Sequence, residues 1–217
     1  MIGNRILPNA PQADAAIIDA FRKTSTPIIS DNLHRLQGAI GLLPFHKLNG
    51  AMAGTALTVR VPAGDNLLIH KALDLVRRGD VIVVDGDGEI NRALIGEIMT
   101  TIAQTRGAAG FVINGAIRDT AAIAKSEFPC FARAATHRGP YKNGPGEINV
   151  GVSIGGLVIE PGDIVVGDED GVVAFPQAIA ADLLEAVHVQ EKKEEEILQS
   201  IRAGTYTGAY GKPAVSG

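Results

Sequence analysis

Arg118 and Asp119 stand side by side where an apolar run, Phe111-Val112-Ile113, gives way to Asn114-Gly115-Ala116-Ile117. If that run is a strand, both side chains emerge beyond its end, in a loop leading to a helix. A carboxylate beside a guanidinium suits a hard cation together with an anionic substrate: the oxygens take the cation, and the arginine takes developing negative charge or a substrate carboxylate. The same dipeptide also reads as an ordinary helix start, with Asp119 capping Thr120-Ala121-Ala122 and pairing with its neighbour. Residue types leave both readings open. Glu97 follows Gly96, and twenty residues separate it from Arg118, which is room for one strand-and-helix unit. If Gly96 marks a close backbone approach, the Glu97 carboxylate faces the same pocket and could hold a metal-bound water; otherwise it is a surface glutamate.

Other candidate groups lead to weaker chemistry. Asp85-Gly86-Asp87-Gly88-Glu89 follows an apolar run, but Asn91 occupies the sixth position of a GxGxxG pattern, and acidic residues fill a loop that should receive phosphates. That loop is expected to form the polar rim of the Arg-Asp pocket, with Arg92 just after it placed to meet the distal carboxylate of a substrate. His34, His46, His70, His137 and His188 show neither H-x3-H nor HExxH spacing, so a zinc site is not indicated and each reads as structural. Lys71 or Lys125 could form a Schiff base, but no buried-lysine pattern surrounds either. Cys130 lies in Phe128-Pro129-Cys130-Phe131-Ala132, a strand-like run, and reads as a buried thiol.

The elements that must position these residues follow from periodicity. Asp14 to Lys23 places Ile17, Ile18 and Phe21 at helical spacing, and Thr24-Ser25-Thr26-Pro27 stops it. Ser30-Asp31 reads as a second helix start, capping a turn that contains Leu33. From Gly54 the pattern alternates: a strand over Thr55 to Val61, a helix over Asn66 to Val76, a strand over Val81 to Val84, a helix over about Arg92 to Thr105, and the strand at Phe111 to Ile113. This βαβαβ order implies parallel strands buried on both faces, whose carboxyl ends are the natural place for a site. Beyond Pro129 come short strands without helices: Ile148 to Val152, Leu157 to Ile159, Ile164 to Val166 and Val172 to Ala174. Glu160-Pro161-Gly162-Asp163 and Asp168-Glu169-Asp170-Gly171 are expected as hairpin-like turns between them. Pro176 to Arg202 reads as a long helix whose second half is charged nearly all round.

Composition limits the partners. With 217 residues, 46% hydrophobic and 20% charged, the chain can bury one sizeable core, and a single domain over 1–217 is expected. Twenty basic against 24 acidic side chains leave a formal charge of −4, which argues against a broad nucleic-acid surface. One cysteine permits no internal disulfide, and no stretch approaches the roughly 18 apolar residues of a membrane span. A cytoplasmic protein is the expectation.

Gly96-Glu97, twenty residues, then Arg118-Asp119 resembles the acidic-x20-Arg-Asp signature of the 4-hydroxy-4-methyl-2-oxoglutarate aldolase and regulator of ribonuclease activity A superfamily. Gly64-Asp65-Asn66-Leu67-Leu68-Ile69-His70-Lys71-Ala72, Pro161-Gly162-Asp163-Ile164-Val165-Val166-Gly167-Asp168 and Asp170-Gly171-Val172-Val173 agree with it, so the likeness covers about residues 25 to 205. The signature often has aspartate where this chain has Glu97. The resemblance implies an α/β fold of the ββα swivelling type, with a central sheet, a second β layer and flanking helices, and a helix at about 177–202. It implies Asp119 as the direct ligand of Mg2+ or Mn2+, Glu97 as the holder of a metal-bound water, and Arg118 as the group facing an enolate oxygen. Gly96, with the amides of Ile98 and Met99, would receive a pyruvyl carboxylate. A homotrimer or hexamer would bring a glutamate from a neighbour's C-terminal helix to the metal waters; Glu195 is taken for it, with the register among Glu194, Glu195 and Glu196 left open. The activity implied is cleavage of a 4-hydroxy-2-oxo acid, such as 4-hydroxy-4-methyl-2-oxoglutarate or 4-carboxy-4-hydroxy-2-oxoadipate, to pyruvate, with oxaloacetate decarboxylation through the same enolate. The alternative within the superfamily is a non-catalytic, ribonuclease-inhibiting binding module.

Overall fold

The computed structural model of the protein describes residues 3–35 and 38–208; the parts of the single-domain reading that fall on residues 1–2, 36–37 and 209–217 lie outside them. In chain order the elements are β1 (Asn4–Ile6), α1 (Ala15–Phe21), α2 (Thr26–Asn32), β2 (Leu43–Pro44), β3 (Met52–Arg60), α3 (Leu67–Leu75), β4 (Asp80–Asp85), β5 (Ala93–Ile95) and α4 (Glu97–Thr105). There follow β6 (Gly110–Ile117), α5 (Thr120–Ile123), β7 (Cys130–Ala135), β8 (Gly146–Ile148), β9 (Val152–Ile154), β10 (Leu157–Ile159), β11 (Ile164–Asp168), β12 (Gly171–Phe175), a 3-10 turn (Gln177–Ile179) and α6 (Ala180–Arg202).

The expected βαβαβ unit is present and extends by one strand. β3, β4, β6 and β7 are parallel neighbours, with Thr55 opposite Asp80, Val81 opposite Gly110 and Phe111 opposite Cys130. They are apolar along their length because both faces are covered. Ile82, Val84, Phe111 and Ile113 point into a core closed by Leu68, Ile69 and Leu73 of α3 and Met99 and Ala103 of α4. The alternate residues Val81, Val83 and Val112 point the other way, against Val152, Ile154, Leu157 and Ile159 of the β9–β10 hairpin. That hairpin is the second β layer. A third core lies where α1, α2 and α6 pack on β11 and β12, around Phe21 and Phe175, whose ring centroids are 4.8 Å apart.

Four local expectations are corrected. The helix expected from Arg92 starts at Glu97, because Ala93–Ile95 pairs with the end of β6 as a strand, Ala93 opposite Ala116. Hydrogen bonding to a neighbour outweighs the helical spacing of an apolar triplet. The strand expected over Ile148 to Val152 is two, since Asn149 takes a positive φ of 60° and its Nδ2 donates to the Leu7 carbonyl at 2.9 Å. Ser30 and Asp31 do not start a helix; they sit in α2, which begins at Thr26 with Pro27 in its first turn. Finally, Asp168 to Gly171 does join antiparallel β11 and β12, but Glu160 to Asp163 is no hairpin, because β10 pairs with β9 while β11 pairs with β3 and β12. The helix over 14–23 is as expected, and Asp14 accepts the Ala16 and Ile17 amides.

Cys130 is the structural thiol the sequence indicates. It is fully buried, and burial pushes its pKa up to about 12. Beside it the Cys130 N–H donates to His46 Nδ1 at 3.1 Å, and the imidazole meets Phe131 edge-on. Burial lowers the His46 pKa from its ordinary 6.5, and burial, assisted by Lys142, does the same to His70. A histidine whose native pKa is depressed binds its proton better when unfolded, so it weakens the fold as pH drops below about 6.5. Urea midpoints should therefore rise from pH 5.5 to 7.5. In His46→Gln, which retains an acceptor and cannot titrate, the rise should be smaller.

Candidate functional site

β5 and β6 end together, and the site is built on the two loops that follow them. The Arg118 N–H donates to the Ile95 carbonyl at 3.0 Å, continuing the β5–β6 pairing by one bond. The chain then turns at Asp119, which takes the left-handed conformation with φ 57° and ψ 34°. Such a backbone is costly for a residue with a side chain, and aspartate is among the few that tolerate it. Asp119 occupies the N-cap position of α5 but makes no side-chain cap bond. Its Oδ2 instead accepts the Glu97 N–H at 3.1 Å, the first amide of α4, and lies 3.6 Å from Arg118 Nε. Of the helix-start reading of Arg118-Asp119, the pairing of the two side chains is present and the cap is not: the carboxylate leaves its own helix for the start of another.

Gly96 permits this. Its backbone is extended (φ −156°), so its lack of a side chain is a matter of space. A Cβ there would collide with Asp119 Oδ2 and lie 2.9 Å from Arg118 Cγ. The close approach inferred from the sequence is real, and the thing approached is the Arg-Asp pair.

Arg118 and Asp119 line a cavity of about 330 Å3 together with Gly96, Ile98 and Met99. It is also lined by Asn66 and His70 from the α3 region and by Gly139, Pro140 and Lys142 from the loop after β7. Asp65 ties those two walls together: Oδ2 accepts the Asn143 and Gly144 amides at 2.6 and 3.0 Å, and Oδ1 caps Leu67 N at 2.9 Å. Arg118 and Lys142 against Asp119 leave a cationic balance that favours an anionic ligand. Within the first turn of α4 the Ile98 N–H has no carbonyl four residues behind it in the helix, whereas the Met99 N–H donates to the Gly96 carbonyl at 3.0 Å.

Some expected residues are placed elsewhere. The Glu97 side chain is exposed and outside the cavity wall; only its amide joins the site. Arg92 stands behind the wall, its guanidinium donating to the Gly139 carbonyl at 2.9 Å and the Tyr141 hydroxyl at 2.7 Å and stacking 4.0 Å above the Tyr141 ring. The Asp85 to Glu89 loop does not rim this cavity. Asp85 accepts from Asn114 Nδ2 at 3.0 Å and Ser153 N at 3.2 Å, and the loop borders a separate hollow with Arg133 and Gly155. Glu195, expected at the site of a neighbouring copy and not at its own, lies on α6 with Oε1 accepting from Gln199 Nε2 at 2.9 Å. Asn66, His70 and Lys142 were not singled out as site residues from the sequence. Asn66 and His70 sit in a helical pattern, and nothing in the residues around Lys142 ties its loop to α3.

The donor set suits magnesium or manganese. No group of three or more His, Cys, Asp and Glu side chains occurs among the described residues, so no all-protein cage is offered. Asp119 Oδ1, however, has no hydrogen-bond partner among them while Oδ2 is held by an amide. One fixed carboxylate with room for waters is what a hard, strongly hydrated cation uses. No helix among the described residues is long and apolar enough to cross a membrane.

A carboxylate, a guanidinium and a helix start are thus gathered at the strand ends of an α/β sheet, the place where such sheets put their ligands. Comparison with known proteins narrows the class. Residues 26–174 match the RraA-like family, described as Aldolase/RraA. The chain is 40% identical over 184 residues, 85% of its length and 88% of the other's, to a protein of Halalkalibacterium halodurans that carries the provisional name 4-hydroxy-4-methyl-2-oxoglutarate aldolase. An uncharacterized protein of Pseudomonas syringae shares the fold with a TM-score of 0.77 at 27% identity, over 90% of this chain and 96% of that one. The RNA-processing inhibitor RraA of Thermus does so at 0.64 and 32%, over 70% and 92%. The chain belongs to the RraA-like (Aldolase/RraA) family.

Gly96→Ala should force Asp119 off the Glu97 amide. Overpacking at such a site costs about 1–3 kcal/mol, so the melting temperature should fall. The Glu97 amide should also exchange faster with solvent deuterium than in the wild type.

Proposed function

We propose that the protein is a divalent-cation-dependent lyase that cleaves a 4-hydroxy-2-oxo acid to pyruvate and decarboxylates oxaloacetate at the same site. One observation carries this reading: an arginine and an amide-anchored carboxylate share one cavity with the start of a helix. Asp119 holds the cation through its unengaged oxygen, with Mg2+ or Mn2+ both acceptable. The cation, when bound, supplies a Lewis acid for the substrate's 2-oxo group.

The chain's own groups do the rest. The Ile98 amide and the positive end of α4 receive the C1 carboxylate. Arg118 donates to the 2-oxo oxygen, so that when the C3–C4 bond breaks, its electron pair forms the C2=C3 double bond and the carbonyl pair moves to oxygen, the guanidinium faces the enolate charge. The hydroxyl proton leaves to water in the cavity, and the C4 fragment departs as a ketone or aldehyde. A proton returned to C3 gives pyruvate. With oxaloacetate the bond broken is that to the departing carbon dioxide, and the same enolate follows. Glu195 of a neighbouring copy, in a trimer or hexamer, would close the site from outside, and a cytoplasmic setting suits a chain whose lone thiol is buried. A regulator-type, non-catalytic binding role is the second reading, favoured by the likeness to the Thermus RNA-processing inhibitor.

Pyruvate release from oxaloacetate and from 4-hydroxy-4-methyl-2-oxoglutarate decides between them. Turnover should require Mg2+ or Mn2+, stop with chelator and fall about a hundred-fold or more in Asp119→Ala. No pyruvate from either substrate, in the folded protein with metal, overturns the lyase reading. Turnover that survives Asp119→Ala puts the chemistry elsewhere.

A further inference from the structure

Asn66 carries the one buried side-chain polar atom among the described residues with no hydrogen-bond partner, its Oδ1. The residue is 3% exposed and lines the Arg118–Asp119 cavity. Buried polar atoms are nearly always satisfied, and an unsatisfied one calls for an absent partner. The usual employment of this residue type at this place is also missing: Asn66 is the N-cap of α3, yet its side chain makes no cap bond. Its Nδ2 instead donates to the Leu94 carbonyl at 2.9 Å, with Met99 Sδ at 3.5 Å, which fixes the amide and leaves the oxygen as a bare acceptor.

What could meet it is limited by the chemistry of the ligand. An oxo acid at neutral pH presents carboxylates and a keto oxygen, all acceptors. A 4-hydroxy-2-oxo acid has a single donor, the hydroxyl on C4. Leu94 and Met99, which hold the Asn66 amide, flank Gly96, which touches Asp119 and Arg118. Asn66 lines the same cavity as Arg118 and Asp119, so a substrate whose pyruvyl end lies on the pair has room to extend its next carbons to Asn66. We infer that Asn66 Oδ1 accepts the C4 hydroxyl and is the residue that distinguishes aldol substrates from oxaloacetate, which has no donor there. This rests on the lyase reading above. An amide oxygen is no base, so Asn66 orients the C4–O bond and another group takes the proton.

The test is a ratio of ratios. For the wild type, Asn66→Ala and Asn66→Ser, kcat/KM is measured with Mg2+ on 4-hydroxy-4-methyl-2-oxoglutarate and on oxaloacetate. Binding of 4-hydroxy-2-oxoglutarate and 2-oxoglutarate is measured in parallel by calorimetry. Serine is as good an N-cap as asparagine, so the start of α3 survives in that variant, while its hydroxyl is too short to stand where Oδ1 stands. The expected result is a fall of roughly ten-fold or more in the hydroxy-acid to oxaloacetate ratio, in both variants, whatever loss the two substrates share. The binding preference for the hydroxylated ligand should shrink alike. Equal losses on both substrates, or an unchanged ratio, overturn the inference and leave the lyase standing. A wild type without turnover, whose preference for the hydroxylated ligand nevertheless disappears on substitution, overturns the lyase and with it the discrimination of substrates, and leaves Asn66 Oδ1 as the acceptor of a ligand hydroxyl. No turnover and no such preference overturns both.

Discussion

The contact between the Asp119 carboxylate and the Glu97 amide holds the site together, and it exists only because residue 96 has no side chain. That contact ties the loop after β6 to the first turn of α4, which follows β5. It also sets the rotamer of the residue best suited to hold a cation, and it explains a backbone that is otherwise costly. Asp119 in the left-handed region gives up easy helix-capping geometry, and the amide it reaches is its compensation. Arg118 on the preceding residue is then fixed from the other side by its own N–H to Ile95.

The sheet makes this possible. β6 is long enough that β4 pairs with its first half and β5 with its last residues, so two strand ends coincide at one place. Parallel strands buried on both faces resist displacement at such an edge, because every shift moves side chains in two cores at once. The rest of the cavity lining is held to the sheet more lightly, by the Ala93 N–H to the Arg138 carbonyl and by backbone bonds of Tyr141 to Gly64 and Asn66. Side chains add to this: the two oxygens of Asp65 hold the α3 start and the Asn143–Gly144 turn, and Arg92 holds Gly139 and Tyr141. Arg92 thus serves the cavity without facing it.

Much of this was legible in the residues, for physical reasons that differ by element. The parallel strands could be read because double burial makes them apolar throughout, and the long C-terminal helix because residues 180–202 hold neither Gly nor Pro and favour a helix throughout. Gly96 could be read as a close approach, though not what it approached. β5 could not, because Ala93-Leu94-Ile95 has the composition of a helix and becomes a strand only where β6 offers it a partner. The break at Asn149 likewise depends on a carbonyl 142 residues away, that of Leu7. Local sequence carries no trace of either neighbour.

The far side of the site was illegible for a related reason. Asn66 has the residue type and position of a helix cap, and a cap is what its sequence context describes. Only the folded chain brings Leu94 to its Nδ2 and thereby turns the side chain away from α3. Had Oδ1 capped the helix, the residue would be explained in full by its own element, and the cavity would end in an inert wall. Because the amide is turned, the cavity lining offers two chemically distinct groups, the Arg118–Asp119 pair and the Asn66 carbonyl. In the reading proposed above, the pair meets the acceptor-rich pyruvyl group common to all the substrates, and Asn66 meets the hydroxyl that only some possess. Selectivity within one family can then reside in a residue apart from the Arg-Asp pair, since the shared enolate chemistry constrains the pair and leaves the rest of the lining free to vary.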